Sequence, residues 1–295
     1  MPYFFVTLLV FSSMEVVSKP LMPFCDPFQL TFHRFLIGWI FLLIFLVARG
    51  RSRELTHIAR RDILLLAFLG FLNTFFAMSM LQTAVKYSTA ATAATVICAN
   101  PVFVYLFSLI AGNGSFSWRR AAGIVAGVIG IVLVMFDRGL RLDTGVLYAL
   151  AAAAAFALYT LLNKPLAHRI GSLPVNIVSF FFGLLLSAAY LLVTGGDLRP
   201  PVEMIDAPVR LASFLYLGIV VSGIGYLTFV KTIRLLTPIA ASVIFIMKPA
   251  IATFLAVLFL GERLSVLFWP GLIFIGAAGL LILEWPPSQK VDTPR

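Results

Sequence analysis

The sequence predicts an all-α polytopic membrane protein with ten transmembrane helices, arranged as two inverted five-helix repeats. Three observations predict it: the composition, ten long apolar stretches, and an internal repeat. Of the 295 residues, 61% are hydrophobic and 12% are charged, and the mean hydropathy is +1.03. A soluble domain carries about 25% charged residues. This composition therefore argues against a soluble enzyme, a disordered regulator or a nucleic-acid-binding domain.

A membrane-spanning helix needs about 20 mostly apolar residues. The first candidate stretch lacks a preceding basic segment and a small-residue cleavage site, so we expect an uncleaved helix rather than a signal peptide. The loops between the stretches are too short to hold a second domain. The ten stretches lie at 3–21, 28–48, 62–82, 89–111, 120–136, 144–164, 174–194, 209–230, 237–260 and 265–284.

The distribution of basic residues predicts the orientation, because Lys and Arg are retained in cytoplasmic loops. The loop after the second stretch, at 49–61, contains five arginines. Of the 22 Lys and Arg residues, 13 lie on that side, 7 on the other side and two inside the membrane. Both termini are therefore expected in the cytoplasm. The net charge of +10 then reflects topology, and we expect no nucleic-acid partner.

The two halves of the chain repeat each other. Near the start, SKPL at 18–21 matches NKPL at 163–166, a separation of 145 residues. We expect the first repeat at 1–136, the second at 144–284 and a cytoplasmic tail at 285–295. Five spans per half give the halves opposite orientations, a design common in secondary transporters with midplane sites. At a separation of 148 residues, Leu69-Gly70 matches Leu217-Gly218, Lys86 matches Arg234, Thr89 matches Thr237, Pro101 matches Pro249, Ser117 matches Ser265 and Gly123 matches Gly271.

Four segments carry a family resemblance: PFQLTFHR at 27–34, MKPA at 247–250, LGERLS at 260–265, and the glycine-bearing last helix at 271–279. With these segments the chain resembles EamA-type members of the drug/metabolite transporter superfamily over nearly its whole length. The resemblance implies a ten-helix inner-membrane carrier, usually an exporter of amino acids or other small metabolites. The first half departs from the pattern, with GNGSFS where the second half has GERLS.

A more local similarity lies in the first helix. The segment MEVVSKPLMPF at 14–24 is similar to the first helix of small multidrug resistance proteins, whose membrane-embedded glutamate binds protons and cations in competition. Glu15 stands at the position of that glutamate. This similarity implies an alternative function, the proton-coupled export of lipophilic cations.

Three ionisable residues fall inside the predicted spans, where each costs about 2.5–3.5 kcal/mol unless it faces a partner or a cavity. Glu15 either pairs with Lys19 at i, i+4 or exchanges a proton for a substrate cation. Lys248, beside Pro249, either binds substrate or pairs with Glu15. Arg34 either extends to the membrane interface or pairs with Glu15 or an aspartate near the helix start.

Other residues complete the predicted substrate site, which we expect to be a cavity lined by helices 1, 2, 4, 6, 7 and 9. Pro101 and Pro249 are expected to break their helices, because proline cannot donate a backbone hydrogen bond. His33 is expected to pack, and a disulfide between Cys25 and Cys98 is not expected. The predicted substrate-binding residues are Glu15, Lys19, Arg34, Thr92, Thr95, Asn100, Tyr159, Asn163 and Lys248, with Asn73, Gln82 and Asn176 as further candidates.

The sequence therefore predicts a secondary active transporter of an amino acid or related zwitterion, exporting it by alternating access, with Glu15 as the proton-coupling residue. The chain contains no HExxH, GxSxG or phosphate-binding motif, and only 3 His and 2 Cys residues, so we expect no enzyme, no metal and no cofactor. A membrane-embedded lipid enzyme is a remote alternative. The expected partners are a small-molecule substrate and the lipid bilayer. A GxxxG motif at Gly123 and Gly127 predicts close packing within one chain or in a homodimer.

Overall fold

The computed structural model describes residues 2–55, 58–112, 116–135, 144–236 and 244–282. Within these ranges the chain is helical and contains no β-strand. Short helical turns at Lys19–Leu21, Ser52–Leu55 and Val202–Ile205 supplement the long helices. The long helices are α1 (Pro2–Ser18), α2 (Pro27–Ala48), α3 (Arg60–Tyr87), α4 (Ala90–Ile110), α5 (Trp118–Met135), α6 (Thr144–Ile170), α7 (Ser172–Val193), α8 (Pro208–Leu235), α9 (Ile244–Leu260) and α10 (Phe268–Ile282).

Seven of these helices, α1 to α4 and α6 to α8, are long and apolar enough to cross a membrane. The described parts of α9 and α10 are shorter apolar helices, and α5 has 18 residues. The predicted all-helical membrane protein is thus confirmed, whereas the count of ten spans remains a prediction. We call the end of the bundle where α1 begins the near end, and the end where α1 finishes the far end.

Helices α3 and α8 share an irregularity that the sequence did not predict. Each contains a π-helical segment, at Phe71–Ala77 in α3 and at Tyr216–Gly225 in α8. The two segments overlap when the first is shifted by the 148 residues of the sequence repeat. Segments of this kind are rare and often lie at functional sites. The residues that directly follow them, Met78 and Tyr226, are also separated by 148 positions.

Close helix contacts follow the same correspondence. A Cβ atom on Gly38 of α2 would lie 2.9 Å from the carbonyl oxygen of Gly218 in α8. Likewise, a Cβ atom on Gly183 of α7 would lie 2.7 Å from the carbonyl oxygen of Gly70 in α3. Since Gly183 follows Gly38 by 145 residues and Gly218 follows Gly70 by 148, the second helix of each half contacts the third helix of the other half in the same way.

Helices α5 and α10 pack closely within the chain. A Cβ atom on Gly123 would lie 3.0 Å from the carbonyl oxygen of Ala278, and one on Gly130 would lie 2.8 Å from that of Gly271. The GxxxG motif is therefore used for intramolecular packing, as small residues allow helix backbones to approach.

The two prolines affect their helices differently. Helix α4 passes through a 3₁₀ turn at Ile97–Ala99 and resumes as an α-helix at Asn100, with Pro101 in the new first turn. The break expected at Pro249 is absent, because α9 continues through this residue as an α-helix from Ile244 to Leu260. Proline removes one donor at Pro249, and the packing of α9 against α1 and α4 holds the rest of the helix.

The glycine contacts lead to a stability prediction. Gly183→Ala should lower the unfolding temperature of the purified protein, because the added methyl group would lie 2.4 Å from the Cβ atom of Thr74. Overpacking of this kind costs about 1–3 kcal/mol. Gly276→Ala is the matched control, since a Cβ atom there meets nothing within 4 Å. Equal unfolding temperatures for the two variants in detergent would contradict the packing described for α3 and α7.

Candidate functional site

The three intramembrane charges predicted from the sequence all lie in the interior of the bundle. Glu15 and Arg34 are 0% exposed, and Lys248 is 2% exposed. They come from α1, α2 and α9. Such burial is expensive for charged groups unless they are paired or face a ligand. Their partners therefore determine what this site can do.

Glu15 and Lys248 form a buried ion pair. The Nζ atom of Lys248 donates to Oε1 of Glu15, which joins α1 of the first half to α9 of the second. The other carboxylate oxygen, Oε2, has no hydrogen-bond partner. Of the two partners considered for Glu15, the structure shows Lys248. The ammonium group of Lys19 instead donates to the carbonyl of Val85 at 2.7 Å.

Arg34 is the second feature of the site. Its Nε, Nη1 and Nη2 atoms are buried, and none has a hydrogen-bond partner of good geometry, although the Tyr226 hydroxyl lies beside the guanidinium. The guanidinium lies within electrostatic range of Glu15 and of the Tyr226 hydroxyl, and 4.9 Å from the centre of the Phe35 ring. Arg34 therefore neither extends to the interface nor pairs with Asp26, whose carboxylate accepts from the backbone N–H of Phe28 at 2.9 Å.

Tyr226 is a central residue that the sequence analysis missed. Its hydroxyl donates to Oδ1 of Asn73 at 3.2 Å, and its carbonyl accepts from Nδ2 of Asn176 at 3.3 Å. Its ring lies 5.2 Å from that of Phe11 and 5.3 Å from that of Phe35. A tyrosine in the interior of the apolar stretch 209–230 was the signal that could have identified it.

Cys98 also lies at the centre and was not predicted to take part. It is fully enclosed between the helices, and its charge environment includes Lys248 and Glu15. The thiol donates to the carbonyl of Ala94 at 2.9 Å. Cys98 and Cys25 are both free thiols, so no disulfide joins them.

A small cavity of about 20 Å³ lies beside Lys248. Its walls are aromatic and aliphatic, with Phe11, Phe156, Tyr226 and Phe245 among them, and Lys248 is its charged residue. One water molecule needs about 10–15 Å³, so the cavity is nearly closed. Its lining comes from α1, α3, α4, α6, α8 and α9. Helices α3 and α8 therefore line the cavity, whereas α2 and α7, which were expected to line it, do not. Met78 and Tyr226, the lining residues that directly follow the π-helical segments, belong to α3 and α8.

The other predicted site residues divide into two groups. Thr95, Tyr159 and Asn163 are buried; the Thr95 hydroxyl has no hydrogen-bond partner, and the Tyr159 hydroxyl lies beside the Asn163 side chain. Asn100 donates from Nδ2 to the carbonyl of Ala153 at 3.3 Å, while its Oδ1 is unpartnered. These four side chains remain candidates for contact with water or a ligand.

Thr92 and Lys19 lie at the far end of the bundle instead of at the centre. The hydroxyl of Thr89 donates to that of Thr92 at 2.7 Å, at the start of α4, where Thr89 caps the helix. His33 packs as expected, with its ring nitrogens 2.8 Å from the carbonyl of Gln29 and 3.1 Å from that of Leu198. None of these residues lines the central cavity.

A wider pocket of about 570 Å³ opens at the far end. It lies between the start of α2, the end of α3, the start of α6 and the end of α7. Its lining is polar and aromatic and includes Asp26, Lys86, Asp197 and the stacked rings of Tyr87 and Tyr148. The three buried charges do not line this pocket.

The helical fold and its buried charges define the chain as a polytopic membrane protein with a polar centre. The model of the EamA-like transporter family matches residues 1–136 and 143–284. The chain therefore belongs to the EamA family of the drug/metabolite transporter superfamily, as the sequence segments predicted.

The relatives are transporters as well. An uncharacterized transporter of Clostridium kluyveri is 33% identical, with 98% of this chain and 94% of that protein covered. The S-adenosylmethionine uptake transporter of Rickettsia prowazekii is 28% identical over 55% of this chain, which spans about half (53%) of that protein's length. A solved structure shares the fold, with a TM-score of 0.70, 20% identity, and 95% and 94% of the two chains covered. Family and relatives indicate a transporter and not an enzyme.

The buried ion pair leads to a second stability prediction. Glu15→Gln or Lys248→Met alone should destabilise the protein by about 3–5 kcal/mol, because each leaves the other group buried without a partner. The double variant should recover much of this loss, since no uncompensated charge of the pair remains. The check is the unfolding temperature in detergent of all four proteins. A double variant that shows the sum of the two single losses would mean that the pair is not formed.

Proposed function

We propose that the protein is a secondary active transporter of a small zwitterion, an amino acid or a close derivative, which it exports by alternating access through the central site. The observation that carries this proposal is a pair of unsatisfied opposite charges. Oε2 of Glu15 accepts no hydrogen bond, and the Arg34 guanidinium donates none to a carboxylate. The two groups lie within electrostatic range of each other in the bundle interior.

An α-amino acid has the groups to satisfy both residues. Its ammonium can donate to Oε2 of Glu15, and its carboxylate can accept two parallel hydrogen bonds from Arg34, a geometry that guanidinium favours. The side group would then meet the aromatic and aliphatic cavity wall, which includes Phe11 and Phe156. These walls favour an apolar or aromatic side group.

Alternating access is supported by the closure of the site and by the repeat. A cavity of about 20 Å³ cannot hold an amino acid, so the helices around it must separate for substrate to enter. The matching glycine contacts of α2 with α8 and of α7 with α3 are what two inverted repeats would produce. The distribution of Lys and Arg favours an orientation in which the near end faces the cytoplasm, in an inner membrane.

The comparisons add one substrate to consider. The Rickettsia relatives transport S-adenosylmethionine, a molecule that contains an α-amino-acid group and would present the same ammonium and carboxylate. The export of lipophilic cations, suggested by the first helix, is less well supported. Arg34 and Lys248 lie close to Glu15 and would repel a lipophilic cation, which has no carboxylate to interact with them.

The substrate proposal predicts the effect of changes at Arg34. In proteoliposomes, Arg34→Gln should reduce the uptake of a labelled amino acid by about tenfold or more, because the carboxylate loses a charge-assisted hydrogen bond. Arg34→Lys should retain part of it. The control is Arg51→Gln, which alters a surface arginine paired with Glu54. The panel contains aromatic and aliphatic amino acids, S-adenosylmethionine and tetraphenylphosphonium.

Two results would decide against a zwitterion. One is transport of tetraphenylphosphonium with no transport of any amino acid or S-adenosylmethionine. The other is amino acid uptake that is equal in the Arg34→Gln and Arg51→Gln proteins.

A further prediction concerns proton coupling. We expect Glu15 to bind a proton and the substrate ammonium in competition, as the similarity of the first helix to small multidrug resistance proteins implies. Glu15→Gln should therefore make amino acid transport insensitive to an imposed pH gradient. Glu54→Gln, which alters an exposed carboxylate, should retain the sensitivity. Only protein that elutes as a single species is reconstituted, and a pH-driven uptake that survives in Glu15→Gln would exclude Glu15 as the coupling residue.

A further inference from the structure

The turn between α3 and α4 is held at the far end by a lysine from the end of α1. The ammonium group of Lys19 donates to the carbonyl of Val85 at 2.7 Å and also to the carbonyl of Ser88. These are the last carbonyls of α3, whose intrahelical partners are missing. A cation is favourable at this negative end of the helix dipole.

The same turn is held from the other half of the chain by a glutamate. Glu262, which follows α9, accepts from the backbone N–H of Ala90 through Oε1 at 2.7 Å and from that of Ala91 through Oε2 at 3.0 Å. These are the first amides of α4, at the positive end of its dipole. A cation and an anion thus bind the two sides of one short turn.

We infer that Lys19 and Glu262 form the far-end gate of the transporter. The two residues lie just beyond the ends of α1 and α9, the two helices that the Glu15–Lys248 pair joins at the centre. The turn that they hold connects α3 and α4, which form the facing part of the cavity wall. The far end opens when these contacts break and α3 and α4 separate from α1 and α9.

The near end differs at the positions that correspond to Lys19 and Glu262. Lys164 corresponds to Lys19 in the repeat, and its ammonium makes no hydrogen bond or ion pair among the described residues. The segment GNGSFS at 112–117 has no acidic residue where the second half has Glu262. The near end is joined by Arg169 and Asp62 at 2.6 Å, but the Arg169 side chain is 44% exposed. Exposed pairs contribute little, so this pair alone holds the described part of the near end only weakly.

This inference rests on the alternating access proposed above, but it does not depend on the identity of the substrate. Its consequence is that the contacts of Lys19 and Glu262 must be released before the central site opens to the far end.

A cysteine reporter tests the gate. Leu81, on the cavity wall, is replaced by cysteine in a protein with Cys25→Ser and Cys98→Ser. Burial raises the pKa of the Cys25 thiol to about 12, so its reactivity is low, but its removal excludes any background. A membrane-impermeant maleimide is applied separately to intact cells and to inverted vesicles.

Glu262→Gln should increase labelling from the far end by about tenfold, the effect of losing one charge-assisted contact of about 1.4 kcal/mol. Lys19→Gln should act in the same direction. Glu54→Gln, a surface change, should leave labelling at the reference level, and Lys164→Gln should not raise far-end labelling. Glu262→Asp provides a second, conservative variant if the Glu262→Gln protein is poorly folded. Its labelling should lie between that of the protein with Glu262 and that of Glu262→Gln.

Unchanged far-end labelling in both Glu262→Gln and Lys19→Gln, with a lowered unfolding temperature, would overturn the gate and leave a purely structural clamp. Increased labelling in a protein that transports no amino acid would support the gate and reject the proposed substrate. The labelling experiment tests the gate and the uptake experiment tests the proposed substrate, so each proposal can fail without the other.

Discussion

The structure depends on one buried contact, the ion pair between Glu15 and Lys248. Removing two charges from water costs desolvation free energy, and their mutual attraction offsets only part of that cost. A buried ion pair of this kind is therefore weak evidence for a stabilising role. Here it joins the two halves of the chain at their centre and leaves one carboxylate oxygen unpartnered. A pair with an unsatisfied oxygen is better suited to exchange partners than to hold the fold permanently.

The surrounding helices explain why the pair lies in a closed site. Glycine contacts bring α2 onto α8 and α7 onto α3 at backbone distance, which leaves little space between the halves. The π-helical segments of α3 and α8 then place Met78 and Tyr226, equivalent positions of the repeat, on the cavity wall. The close glycine contacts and the wall residues Met78 and Tyr226 thus both lie at positions separated by 145 or 148 residues in the sequence.

The sequence predicted the helical membrane fold, the family and the burial of Glu15, Arg34 and Lys248, because hydropathy and the cost of membrane charges depend on composition and position alone. It did not predict which helices line the cavity. Met78 and Tyr226, which lie on the cavity wall, directly follow π-helical segments, and hydropathy does not reveal such segments. The partners of Lys19 could not be predicted either, because they are backbone carbonyls, which every residue has.

The balance of charge at the centre limits what can bind there. Glu15, Lys248 and Arg34 contribute one negative and two positive charges, so in this closed state a guanidinium is left without an anion. A lipophilic cation would add to that excess. A zwitterion supplies a carboxylate to Arg34 and an ammonium to Glu15 while leaving the total charge unchanged. The ammonium also competes with Lys248, so binding would weaken the contact that joins α1 to α9, the same two helices from which the far-end gate is built.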